Sequence, residues 1–385
     1  MTGASELPEA IEALRTAVRT FADREVRPRV AAMEAAGSLD AALVQQMAEI
    51  GLFGALFGER HGGSGLGELG FVVVQEEVSR AHLSTGLLLA ASAGLAARLI
   101  EMFGTLEQQT RWLGPLARGE RTGAFCLTEP AAGSDVPAMQ TRARLDGDAY
   151  VLDGEKSFIT NGGVADLLLV FAKTAPEERG RGISLFVVER ETPGLSVVRL
   201  EAQMGLLASP TAQLAFDGVR VPASHMLGQP GEGLAMALAC LNRSRLGIAA
   251  MCLGVAREAL ALAWSYAQER QIGGRPLADQ QVTQHAFAEM EIEIFATESM
   301  VYRTAALADA GAAIEREASI CKVFATEAAQ RIVDRALQLH GGVGYIRGTD
   351  IERLYRDIRA ARIYEGANEV QRNNIYRVMR RERGA

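Results

Sequence analysis

The chain has 385 residues, 48% of them hydrophobic and 23% charged, with a net charge of −7. That length exceeds one simple core and suggests two or three packed units, while the acidic balance argues against nucleic acid or an anionic membrane as main partner. The four cysteines form no CxxC pair and the five histidines no HExxH spacing, so reduced thiols are expected and a metal centre is not.

MTGASELPEA, at the start, has neither a basic nor an apolar leader pattern, and the expected location is cytoplasmic. Residues 1–120 read as an N-terminal helical domain, with Ile11, Leu14, Val18, Phe21 and Val26 at helix-like intervals. FVVV, in FVVVQEEVSRAHL, suits a strand equally well. GLLLAASAGLAARLI (86–100) is interrupted by Arg98 and short for a bilayer, so it reads as a buried helix and no membrane span is expected. GLGELG (65–70) matches the dinucleotide fingerprint letter for letter. It follows the polar turn FGERHGGS in a helical zone, not a strand, and reads as a glycine-rich turn.

Residues 121–230 change character. DAYVLDGEKSFIT, LLLVFAKT, GISLFVVER, LSVVRL and TAQLAFDGVRVP are short β-type runs, several of them bounded by turn residues, which suggests a compact barrel or sandwich. Beyond Pro230 the only proline is Pro276. The run from Gly233 to Arg270 could form one helix of about ten turns, followed by further amphipathic segments. The expected class is mainly α with a central β domain: N-terminal helical domain (1–120), middle β-barrel (121–230) and C-terminal four-helix bundle (231–385).

AFCLTEPAAGSD (124–135) offers hydroxyls and backbone N–H groups on a loop of small residues, which a flat polar ring could approach closely. KSFITNGG (156–163) sets an aromatic, a hydroxyl and an amide on another strand end. In ARIYEGANEVQR (361–372), Glu365 lies between an aromatic and a glycine where one helix stops and another begins. Taken singly, each has a plain reading: core aromatics for Phe125 and Phe158, a helix-end cation for Arg270, a helix C-cap for Gly341 and Gly342.

Together with QLHGGVGYIRG (338–348), and in this order, these segments resemble the acyl-CoA dehydrogenase family of flavoproteins over nearly the whole chain. The resemblance implies FAD as cofactor. It sets Phe125, Leu127 and Thr128 on the strand against the flavin, Phe158 where many members carry tryptophan, and Thr160 at the hydroxyl that reaches flavin N5. It puts Arg270 and Gln281 in a motif binding the FAD pyrophosphate across a subunit interface. Gln338, Gly341 and Gly342 match the segment cradling the adenosine half, again from a neighbouring subunit, and Ala367, Asn368 and Glu369 the last FAD-contacting segment. Ser134 falls near the pantetheine arm of the substrate.

An α-proton beside a thioester is far too weakly acidic for a solvated glutamate, so the carboxylate must be buried and the enolate charge stabilised. The resemblance makes Glu365 that base and its backbone N–H a donor to the thioester carbonyl. Gly366 allows close approach, and Tyr364 walls the pocket from water. Some relatives carry the base on the long helix instead, where this chain has Ser244, which leaves Glu365 alone. Arg245 matches an arginine near the catalytic carboxylate and substrate. Gly273 replaces a phenylalanine, Asn242 an aspartate at a substrate-arm position, and Ala367 a hydroxyl found in many members.

The implied activity is dehydrogenation of an acyl-CoA thioester to the trans-2-enoyl-CoA, with electrons passed to an electron-transfer flavoprotein by a homotetramer built as a dimer of dimers. The competing readings are a dehydrogenase or oxidase acting on a group held by an acyl-carrier protein, and a non-catalytic binding protein of the same fold. STGLLLAASAGLAARLI is expected to contribute to the pocket floor; acyl length and branching are not readable.

Overall fold

The computed structural model describes residues 7–384. Its N-terminal part is helical: α1 (Glu9–Phe21), α2 (Val30–Ala36), α3 (Ala41–Glu49), α4 (Gly67–Ala81), α5 (Leu83–Leu89), α6 (Arg98–Phe103), α7 (Leu106–Gln108) and α8 (Gly114–Ala117). The FVVV run is helical, because α4 is buried on nearly every side and needs no polar stripe. A π-helical stretch, Ala90–Ala97, joins α5 to α6.

The GLGELG segment lies outside helix only at Gly65 and Leu66; from Gly67 on, where a turn is expected, it is the first turn of α4. Gly67, at φ +67°, lies so close to Asp309 that a Cβ would meet its carboxylate at 2.4 Å. Asp309 accepts from the N–H groups of Glu68 (2.7 Å) and Leu69 (3.0 Å), capping a helix N-terminus where negative charge is favoured.

The middle zone has eight strands: β1 (Gly123–Cys126), β2 (Arg142–Asp146), β3 (Ala149–Ile159), β4 (Leu167–Lys173), β5 (Ile183–Glu189), β6 (Leu195–Leu200), β7 (Ala212–Pro222) and β8 (Met226–Leu227). They run in the order β6-β7-β3-β2-β4-β5-β8, with β1 parallel to β4. Alternate residues of β3, β4, β5 and β7 share one interior core. The opposite face of β4 and β5, including Leu167, Leu169 and Phe171, packs with residues of the π-helical stretch, α6 and α8. This double burial explains the unbroken apolar run LLLVFA. β6 is mostly exposed, and its pairing to β7 slips between Val197 and Arg199.

The C-terminal part comprises α9 (Gly233–Glu269), a small hairpin of β9 (Gln271–Ile272) and β10 (Arg275–Pro276), then α10 (Gln281–Asp309), α11 (Glu315–His340), α12 (Asp350–Ile358) and α13 (Asn368–Glu382). α9 has 37 residues, about 55 Å at 1.5 Å per residue, and packs against both α11 and α4. Two helical stretches, Leu83–Phe103 and α9, are long and apolar enough to cross a bilayer. The shortness expected of the first does not hold, since it continues for 21 residues; both are instead core helices, the most apolar window of each being 100% and 78% buried.

Behind β1 the loop is held by a buried ion pair. Lys156 Nζ donates to Glu129 Oε1 at 2.7 Å and to the Leu127 carbonyl at 3.2 Å, while Glu129 also accepts from the Gln140 and Thr141 amides. Burial opposes the charge of Glu129, but Lys156 and these hydrogen bonds hold its carboxyl below the usual range. Breaking a buried pair leaves one charge uncompensated, typically a loss of about 3–5 kcal/mol. Lys156→Met is therefore expected to lower stability in urea denaturation by that order. Lys156→Met with Glu129→Leu should lose less, because no buried charge remains.

Candidate active site

Glu365 stands in a turn between α12 and α13, with its backbone in the left-handed region at φ +54°. Non-glycine residues are uncommon there and persist where the surroundings impose the geometry. Gly366 follows at φ +91°, so close to Gln371 that a Cβ would lie 2.4 Å from its Nε2.

From α9, the Ser244 hydroxyl donates to Glu365 Oε2 at 2.6 Å. Arg245, also buried, donates from Nε to the Glu365 carbonyl at 3.4 Å and from Nη1 to Asn242 Oδ1 at 2.7 Å. Burial is the largest influence on the Glu365 carboxyl and pushes its pKa above the ordinary range. The Ser244 hydrogen bond and the charges of Arg245, Lys322 and Arg98 pull it back only in part. Among the described residues, neither the Tyr364 hydroxyl nor the Glu365 N–H has a protein hydrogen-bond partner. A basic carboxylate and a free N–H on one residue can remove a proton and bind the oxygen that gains charge.

The two β-domain segments come together. The Thr128 carbonyl accepts from Ser157 N–H at 2.9 Å, which sets the TEP loop beside the SFIT strand end. Phe158 is 64% exposed and held at φ +57°, with Thr160 two residues on. Asn161, at φ +60°, is buried and donates to the Gly123 carbonyl at 3.1 Å and the Leu88 carbonyl at 3.4 Å. Phe125 packs its ring on Phe171 at 5.0 Å, and Leu127 is buried. Gly133 has open space around it beside exposed Ser134. An outward aromatic on strained backbone, next to hydroxyls and an uncrowded loop, fits a flat conjugated ring such as the isoalloxazine of FAD.

Arg270, Gln281, Gln338, Gly341 and Gly342 are all exposed. Tyr266 stacks on His340 at 4.6 Å, which draws the C-terminal ends of α9 and α11 together. Arg270 lies 26 residues beyond Ser244 (270 − 244), about 39 Å along the helix. Within one chain these residues stand apart from Glu365.

Ala367 is the N-cap of α13 and makes no side-chain cap bond, and Glu369 is exposed in its first turn. Asn368 departs from expectation: its side chain is buried, accepting from Lys322 at 2.8 Å and donating to Thr326 at 3.0 Å. Lys322 and Gln371 escaped sequence reasoning. The signal for Lys322 is a lone lysine among Ala318, Ser319, Ala325 and Thr326 on the buried face of α11.

Sequence profiles described as acyl-CoA dehydrogenase N-terminal, middle and C-terminal domains match residues 8–120, 124–219 and 231–380. The chain is 40% identical to a 3-(aryl)acrylate reductase of Clostridium sporogenes over 94% of its own length and 96% of the relative's. It is also 40% identical to the mitochondrial short-chain specific acyl-CoA dehydrogenase of Bos taurus, covering 95% and 89% of the two chains. The solved butyryl-CoA dehydrogenase from Megasphaera elsdenii superposes with a TM-score of 0.95 at 36% identity, covering 98% of this chain and 99% of that one.

The Ser244 hydroxyl stabilises the ionised form of Glu365. Ser244→Ala is therefore expected to move the Glu365 titration to still higher pH. The check is the infrared carboxyl band of Glu365 followed against pH, identified by its loss in Glu365→Gln.

Proposed function

The chain belongs to the acyl-CoA dehydrogenase family of FAD-dependent oxidoreductases, and from that premise we propose that it oxidises a short-chain acyl-CoA thioester to the trans-2-enoyl-CoA. The observation that carries this reading is Glu365: a carboxylate made more basic by burial, whose own N–H is free.

In this reading the carboxylate takes the proton from the carbon next to the thioester carbonyl. The Glu365 N–H holds the carbonyl oxygen as negative charge develops there. Arg245 fixes the carbonyl side of the Glu365 peptide, and Tyr364 excludes water. Thr128, Phe158 and Thr160 would hold the FAD ring. When bound, FAD supplies the hydride acceptor at N5, so the β-carbon loses two electrons with one hydrogen as the double bond forms. Shortness of the acyl group is supported by relatives named for short-chain and butyryl substrates. An electron-transfer flavoprotein as the next acceptor follows from the family resemblance.

The same reading makes the protein a homotetramer. Its support is a set of exposed apolar side chains on α10, including Val282 (77% exposed) and Phe295 (68%), with Tyr345 (85%) beside the adenosine-cradling segment. Arg270 and Gly341 then serve a neighbour's cofactor. Sedimentation is expected to give a tetramer that retains FAD, and a monomer with tightly held FAD would contradict this assembly.

Anaerobic butyryl-CoA is expected to bleach the flavin absorbance of the holoenzyme, and Glu365→Gln to slow bleaching by about 10²–10⁴-fold with the flavin retained. Bleaching only by an acyl group on a carrier protein would change the assigned carrier. Unaltered bleaching in Glu365→Gln would remove the base.

A further inference from the structure

Beneath the Glu365 turn, α11 carries a lysine with 0% of its surface exposed. Lys322 Nζ donates to the Gly366 carbonyl at 3.0 Å and to Asn368 Oδ1 at 2.8 Å. Among the described residues no carboxylate comes within ion-pair distance of it. A buried ammonium held only by neutral oxygens is unfavourable unless it is needed, and a glutamine or threonine could donate to the same carbonyl without charge.

We propose that Lys322 is a positioning residue for the reaction: its ammonium locks the Gly366 carbonyl, keeps Glu365 in its left-handed backbone state, and sets a positive charge behind the reacting carboxylate. This rests on Glu365 being the base. The backbone argument is geometric. The Gly366 carbonyl accepts from both Lys322 and Gln371 Nε2, each at 3.0 Å, and the Glu365 carbonyl from Gln371 Nε2 at 3.3 Å and Arg245 Nε at 3.4 Å. Gln371 is itself oriented by Ser319, which donates to its Oε1 at 3.1 Å. With both carbonyls anchored, the turn is held in place while the Glu365 N–H stays without a protein partner and its carboxylate accepts from Ser244.

The charge acts in the same direction. The charged and titratable groups facing Glu365 are Arg245 and Cys240 from α9, Arg98 from α6, Lys322 from α11, and Tyr364 beside it, with the Ser244 hydroxyl in contact. Burial brings Lys322 down to about 8, while Glu365 and Glu369 favour its charge. At neutral pH it remains largely a cation, and it offsets part of the burial that raises Glu365. Removing it raises the Glu365 pKa further, so the acid limb of the rate profile moves to higher pH.

The test is stopped-flow bleaching of the FAD holoenzyme by butyryl-CoA across pH. Three variants separate the two roles: Lys322→Met loses donor and charge, Lys322→Gln keeps a donor, and Gln371→Leu keeps the charge. Lys322→Met is expected to lower the limiting rate by about 10–100-fold, the cost of a small misplacement of reacting groups, with the half-saturating butyryl-CoA concentration little changed. Its acid limb should move up, as should that of Lys322→Gln, which recovers part of the rate. Gln371→Leu should slow bleaching without moving the limb. Wild-type rate and pH profile in either lysine variant would overturn the proposal, and if Lys322→Met fails to fold, the other two decide it. A wild-type enzyme that no acyl-CoA bleaches would instead remove the functional reading itself.

Discussion

The structure depends on keeping one carboxylate largely out of water: Glu365 is half-buried in the chain by itself, with protein packed closely around its carboxyl. Glu365 is useful as a base only while water is excluded, because hydration would return its basicity to that of any surface glutamate. Burial alone would also favour a permanently protonated acid. The surrounding Ser244, Arg245, Lys322 and Arg98 moderate that tendency. The site balances desolvation against a few fixed dipoles and charges, none of them on the same element as Glu365.

That arrangement needs several elements from distant parts of the chain to meet, and ion pairs to buried carboxylates join them. Arg98 on α6 pairs with Glu68 at the start of α4, and Arg243 on α9 reaches the same carboxylate at 3.3 Å. Arg257 on α9 pairs with Glu76 on α4 at 2.8 Å, and Tyr302 on α10 donates to Glu76 as well. Nearby, Arg27 from the N-terminal helices meets Glu258 on α9 at 2.5 Å. Such pairs add little net stability over apolar packing, but a mismatched arrangement strands a charge, so they select one docking of the helices. Asp357 on α12 reaches the β domain in the same way, accepting from the Leu206 N–H at 2.6 Å.

Much of this was legible in the sequence. The long α9 and the strands from β3 to β7 follow from period and turn residues, and the lack of a strand before GLGELG from context, but that Gly67 opens α4 where a turn is expected does not. FVVV was ambiguous because α4 is buried all round, and total burial erases the stripe that distinguishes helix from strand. Among site residues, the segments around Thr128, Phe158 and Glu365 stood out as motifs, and the structure joins the first two through Thr128 and Ser157. The small-residue face of α11 marks Lys322 as buried, but no local pattern names its partner Asn368, 46 residues on, or pairs Lys156 with Glu129, 27 residues back, and Gln371 carries no signal of its own. Asn368 misled for the opposite reason. It sits in a recognisable segment, but helix geometry at the start of α13 turns its side chain inward.

The slip in β6 bears on how the protein behaves in a crowded solution. A strand with one unpaired side offers a row of free amides and carbonyls to any other chain, and Val197, Val198 and Leu200 would make such pairing adhesive. The irregularity between Val197 and Arg199 breaks the straight ladder that a stranger would need, and Arg199 and Glu201 add charge along the same stretch. A substitution that regularised this strand would leave the chemistry of Glu365 untouched and still harm the protein, by making separate molecules stick edge to edge.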